Sequence, residues 1–140
     1  MDKGLNRFIT AQDKVYQQVL IELTAGKKQS HWMWFIFPQM LGLGQSQLAI
    51  LYGIQHEEEA IAYLEHPLLG ARLLECTRML LALQPKSAID ILGHPDDLKL
   101  KSSMTLFAQI SPENSLFQQL LTACFKGKQD MRTIKLLNEL

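Results

Sequence analysis

Six consecutive apolar residues, Trp32 to Phe37, end against Pro38. No face of such a run is polar in any regular conformation, so the segment has to be buried on all sides. It is either a fully buried strand or a buried helical or irregular segment, and periodicity leaves both open. Pro38 disfavours helix at Phe37. Gly42 and Gly44 mark a loop beyond it. The rest of the chain must supply a shell around this run.

That shell reads as helices. Phe8, Gln12, Val15, Val19 and Leu23 recur at steps of four, three, four and four, which predicts one helix over 5–25. Gly26 suits the left-handed position just past its end. Ser46 can cap a short helix running to about Tyr52. Glu57 to Leu64 has an acidic first turn, and His66-Pro67 breaks it, with Pro67 suited to open the next helix. Leu69, Leu73, Cys76, Leu80 and Leu83 place a long helix over 68–83, which Pro85 ends. Ser87 caps a turn through Leu92, and a further helix covers about 97–109. Ser111-Pro112-Glu113 is a start signal for a helix ending near Phe125, and Asp130 can cap a last one over 131–138. The expected fold is mainly α, a single compact domain over 1–140 of six to eight helices. One short strand or buried extended segment at 32–37 is compatible with it.

With 140 residues and 47% hydrophobic content, the chain can build one substantial core. Lys plus Arg and Asp plus Glu are both 14, so the basic excess of a duplex binder is missing and nucleic acid is disfavoured as a partner. Cys76 and Cys124 stand in apolar contexts, without CxxC or zinc spacing, and read as small buried hydrophobes. His56, His66 and His94 show no HxxxH or HExxH spacing, so no metal is expected, and no cofactor signature is present. No apolar run is long enough to cross a bilayer, and Met1 to Gly4 lacks a signal-peptide hydrophobic region. A cytoplasmic protein is expected, as monomer or homodimer.

Three constellations could carry chemistry. In the first, Ser30 and His31 lead into Trp32 and Trp34, and Gln39 stands at the other end of the aromatic run. An indole can stack on a nucleobase or sugar ring, with His31 as proton donor or acceptor. The opposing reading is a core segment with polar ends. The second is Gly42-Leu43-Gly44-Gln45-Ser46 before a helix, where backbone amides could approach an anion. It lacks the dinucleotide fingerprint and the P-loop lysine, and a plain turn with an N-cap explains it too. The third is Lys99 to Phe107, where a helix would bring Lys99, Ser102 and Ser103 to one face able to hold a phosphate or carboxylate. Its plain alternative is a solvated face with hydroxyls bonded back to the helix.

These same segments carry a family resemblance. Ser30 through Gln39, the Gly42-Leu43-Gly44-x-Ser46 loop, the stretch from Ala60 to Leu73 with Tyr63, His66, Pro67, Gly70 and Arg72, and Lys99 through Phe107 resemble a bacterial family catalogued as domain of unknown function 1810. Some members carry the label calpastatin, which no feature of this chain supports. The resemblance covers nearly the whole chain. It implies a compact, mainly helical fold and no settled activity, so it brings no catalytic residues with it.

A looser likeness concerns order alone. An aromatic–His segment, a Ser/Met segment and then Phe125, Gly127 and Asp130 resemble helical enzymes that cleave N-glycosidic bonds of ADP-ribose-type nucleotides. The functional expectation is a pocket for a nucleotide or phosphorylated sugar, with N-glycosidase-like hydrolysis as its chemistry. His31 would be catalytic, with Trp32, Trp34, Gln39, Gly42, Gly44, Lys99, Ser102 and Ser103 binding the ligand. The alternative is a non-enzymatic helical interaction module with a large exposed apolar patch. The pocket requires 30–46 and 99–107 to converge in space.

Overall fold

The computed structural model describes residues 4–139. Met1, Asp2 and Lys3, part of the stretch read for a leader, and Leu140 lie outside the described residues. Among the described residues there are ten helices and no strand.

The apolar run resolves as a single helical turn, α3 (Met33–Ile36), so no strand or extended segment forms there. Trp32, Met33, Phe35, Ile36 and Phe37 are buried and Trp34 half-buried. Trp32 at φ −139°, ψ 5° and Phe37 at φ −122°, ψ 73° flank the turn with backbone that is neither helical nor extended. Pro38 then stops it, and the chain makes one isolated parallel bridge between Met40 and Ile54.

The stripe at the N-terminus belongs to two helices, α1 (Asn6–Asp13) and α2 (Tyr16–Ala25), rather than to the single helix its spacing predicts. Val15, at φ −132°, breaks the helix. The cause is tertiary. Buried Gln12 donates from Nε2 to the Phe35 carbonyl at 2.7 Å and lies 2.9 Å from the Tyr63 hydroxyl, which ties the end of α1 to α3. The α2 helix packs instead on α6 (Leu69–Ala82). Gly26, at φ +74°, closes α2, with the Lys27 amide reaching the Glu22 carbonyl at 3.0 Å.

Side-chain caps set most of the remaining starts. Ser46 accepts from the Ala49 amide to open α4 (Gln47–Leu51), and His56 Nδ1 accepts from Glu59 to open α5 (Glu57–Glu65). The α6 helix begins at Leu69, two residues after Pro67, because His66 Nδ1 accepts from both the Leu68 and Leu69 amides. Ser87 caps α7 (Ala88–Leu92), and α8 (Asp96–Gln109) follows. The expected start at Ser111 moves to Ser115, which caps α9 (Leu116–Phe125). Ser111 to Asn114 form a turn, with Asn114 at φ +61°. Asp130 caps α10 (Met131–Asn138) as expected.

The α8 helix sits at the centre, packed on α5, α7, α9 and α10. Every residue from Ser102 to Phe107 is buried, so this helix has no solvated face along that stretch. Rings thread the core from Tyr52 through Phe8, Tyr63 and Phe107 to Phe117, with neighbouring centroids 5.0–5.8 Å apart. One bidentate pair staples the outer loop: Arg7 meets Glu59 at 3.0 and 3.1 Å and also donates to the Leu51 and Gly53 carbonyls.

Candidate functional site

Glu22 organises the approach to the aromatic segment. Its buried carboxylate accepts from the Gln29 amide at 2.7 Å, the Ser30 amide at 3.0 Å, the Ser30 hydroxyl, Gln18 Nε2 and Trp32 Nε1 at 2.9 Å. Burial works against the charge, and these donors outweigh it, holding the carboxyl at a pKa of about 2. The 27–32 loop is thereby fixed, and Trp32 is locked into the core with no exposed face.

The two tryptophans each carry a lysine. Lys28 Nζ lies 5.2 Å from the Trp32 ring centroid and Lys99 Nζ 4.8 Å from that of Trp34. Asp96 pairs with both, at 2.8 Å to Lys28 and 3.4 Å to Lys99. The aromatic segment and the first turn of α8 are therefore joined, and Lys99 is aimed by a ring on one side and a carboxylate on the other.

Beside Lys99 opens a cleft of about 300 Å³. Gln39 and Leu43 line it from the loop after the aromatic segment, and Pro95, Leu98, Lys99, Lys101 and Ser102 from α8 and its start. Asp130 and Arg132 close it from the start of α10. The segments 30–46 and 99–107 thus meet, and a third, 130–132, meets them. Three cations and one carboxylate line the cleft, a net of two positive charges.

Asp130 is held rigidly. Its Oδ2 accepts from the Ser102 hydroxyl at 3.1 Å, the Thr133 amide at 3.1 Å and the Thr133 hydroxyl, and its own amide donates to Thr105 Oγ1 at 2.9 Å. All of the side-chain bonds fall on Oδ2, and Oδ1 has no partner among the described residues. Lys101 forms no ion pair there either, and Arg132 makes only a long 3.5 Å contact with the Gly42 carbonyl.

Of the residues singled out from sequence, Gln39, Lys99 and Ser102 line the cleft. Trp34 supports it through Lys99, and Trp32 is core. His31 is exposed and outside the lining. Gly42 lines a neighbouring cleft of about 240 Å³ with Arg132, Lys135, Leu136 and Glu139. Gly44 serves packing: a Cβ there would stand 2.7 Å from that of Ala49. Ser103 points away from the shared face that helical spacing predicts for it with Lys99 and Ser102. Its hydroxyl is fully buried without a hydrogen-bond partner.

Sequence reasoning names Asp130 only as a helix cap and within the looser likeness of order, and it does not single out Arg132 or Lys101 as ligand groups. One signal for Arg132 exists in the chain itself. A cation two residues after a capping aspartate sits at the positive end of a helix dipole, where it costs stability. The cysteines are poor nucleophiles: burial pushes the Cys76 thiol up to about 12 and raises that of Cys124 as well. No cluster of three or more His, Cys, Asp or Glu able to hold a metal occurs among the described residues. No helix among them is long and apolar enough to cross a membrane.

Among the described residues the fold is all-helical, with a polar cleft between its central and last helices. The chain belongs to the family described as Protein of unknown function (DUF1810), whose model matches residues 2–137. It is similar to the crystal structure of the conserved hypothetical protein Rv1873 from Mycobacterium tuberculosis, with 54% identity, a TM-score of 0.93 and 96% of each chain covered. No curated protein matches it.

Proposed function

We propose that this protein binds a small anionic ligand, of the nucleotide or phosphorylated-sugar type, in the cleft between α8 and α10. The observation that carries this reading is the convergence of Lys99 and Lys101 from α8 with Arg132 from α10, Lys101 and Arg132 being without an ion-pair partner among the described residues. Like charges gathered this way repel one another, and an anion relieves the repulsion. Leu43, Pro95 and Leu98 supply an apolar wall for a ring.

The chemistry that fits is hydrolysis of an N-glycosidic bond. Glycoside cleavage passes through a cationic, oxocarbenium-like transition state, which a fixed carboxylate stabilises. Asp130 suits that role by its place in the cleft, and His31 does not.

A thermal-shift screen against nucleotides, sugar phosphates and ADP-ribose tests the binding. A ligand at a hundred times its dissociation constant adds about 2.7 kcal/mol. That gain should fall in K99A and R132A. No shift with any phosphorylated compound overturns the reading. Release of free base from a bound nucleotide, lost in D130N, tests the hydrolysis.

One observation favours a second reading. Leu48, Ile50 and Leu51 on α4 are 41–56% exposed, beside Leu41 at 37%. Such a patch suits an interface with a partner or a second copy. Sedimentation of the wild type and an I50E/L51E variant decides: a dimer lost in the variant supports it, and a monomer removes the homodimer.

A further inference from the structure

Charge and hydrogen-bonding capacity in the cleft narrow the ligand beyond "anion", an inference that rests on the anion-binding reading. The net of two positive charges matches one phosphomonoester, which carries roughly −1.5 to −2 at pH 7. Nothing is left to balance a second phosphate, and Asp130 would repel it.

Asp130 also asks for something a bare phosphate dianion cannot give. An ionised carboxylate only accepts hydrogen bonds. Its Oδ2 is filled by Ser102 and Thr133, so Oδ1, which has no partner among the described residues, is the atom open to a donor from a ligand. Gln39, also in the lining, has a side-chain amide that makes no hydrogen bond among the described residues and offers both a donor and an acceptor. Hydroxyl groups satisfy both residues at once. A volume of about 300 Å³ stands at the lower end of the range for ligand sites, roughly 300–1,000 Å³. It is small for a dinucleotide.

We propose that the cleft selects a sugar phosphomonoester: Lys99, Lys101 and Arg132 hold the single phosphate while Asp130 Oδ1 and the Gln39 amide read sugar hydroxyls. Asp130 is then the specificity group, admitting the sugar and discriminating against a second phosphate.

Calorimetric titration with ribose 5-phosphate, inorganic phosphate, ribose and ADP-ribose tests this on the full chain. Ribose 5-phosphate should bind about tenfold tighter than either inorganic phosphate or ADP-ribose, the margin expected when a charged acceptor gains a donor. Ribose alone should not bind measurably. D130N should weaken ribose 5-phosphate and tighten inorganic phosphate, opposite signs from one substitution. Asparagine is also a good N-cap, so α10 keeps its start. Q39A, at a side chain with no internal partner, should weaken ribose 5-phosphate and leave inorganic phosphate unchanged. If ribose 5-phosphate binds no tighter than inorganic phosphate, or D130N moves both alike, the sugar assignment fails while the anion site stands. If no phosphorylated probe binds, the anion site itself fails.

Discussion

The indole Nε1 of Trp32 donates to the Glu22 carboxylate at 2.9 Å, and that carboxylate also ties down the loop between α2 and α3. One buried acid thus orients the aromatic segment and, through Lys28 and Asp96, the neighbourhood of Lys99.

Acid should release this tie. The Glu22 carboxyl sits at about 2 in the fold against 4.5 for the ordinary group, so the unfolded chain binds its proton first. The contribution to stability is complete above about pH 4.5 and fades as pH falls toward 2. Its ceiling is about 3 kcal/mol, reduced where water screens the loop. Urea denaturation of the wild type and E22Q should show a gap at pH 7 that narrows by pH 3. A gap constant with pH would contradict the assignment.

Adjacent serines on α8 should respond differently to removal of their hydroxyls. S103A removes a buried hydroxyl that has no partner and should leave stability unchanged or raise it by up to about 1 kcal/mol. S102A loses the bond to Asp130 and should cost about 1 kcal/mol. Chemical denaturation of both variants checks the pair. A loss in S103A as large as that in S102A would refute it.

Gly70 is required by the crossing of α5 and α6. A Cβ there would stand 2.0 Å from the Leu64 carbonyl oxygen, a backbone atom that cannot swing aside. G70A should lower stability by about 3 kcal/mol, the upper part of the range for overpacking. A melting temperature equal to that of the wild type would show that the two helices can separate freely.

Trp34 should report on Lys99. K99M removes the ammonium from above the ring and should change the intrinsic fluorescence. The same substitution in a W34F background should leave the emission of buried Trp32 as it was. It should also weaken anion binding by about tenfold or more, the value of a charge-assisted hydrogen bond. A fluorescence change that persists without Trp34 would mean that Lys99 acts on the core.

The sequence by itself determined whatever depends on bonds within a few residues. Ser46, Ser87 and Asp130 each cap the helix directly after them, and Gly26 takes the left-handed position that ends α2. Six unbroken apolar residues had to be buried, and five of them are, with Trp34 half-buried. These features also pointed to a mainly helical class, with the conformation of 32–37 left open. The tertiary structure alone decided the break at Val15, the helical turn at 33–36 and the buried direction of Ser103. It also drew Asp130 and Arg132 to Lys99. The reason is range. Gln12 meets Phe35 across 23 positions and Ser102 meets Asp130 across 28, and such contacts leave no local periodicity behind. Caps and stripes are legible because a helix repeats every few residues. A cleft assembled from three distant segments has no period, so its chemistry emerges only when the chain is folded.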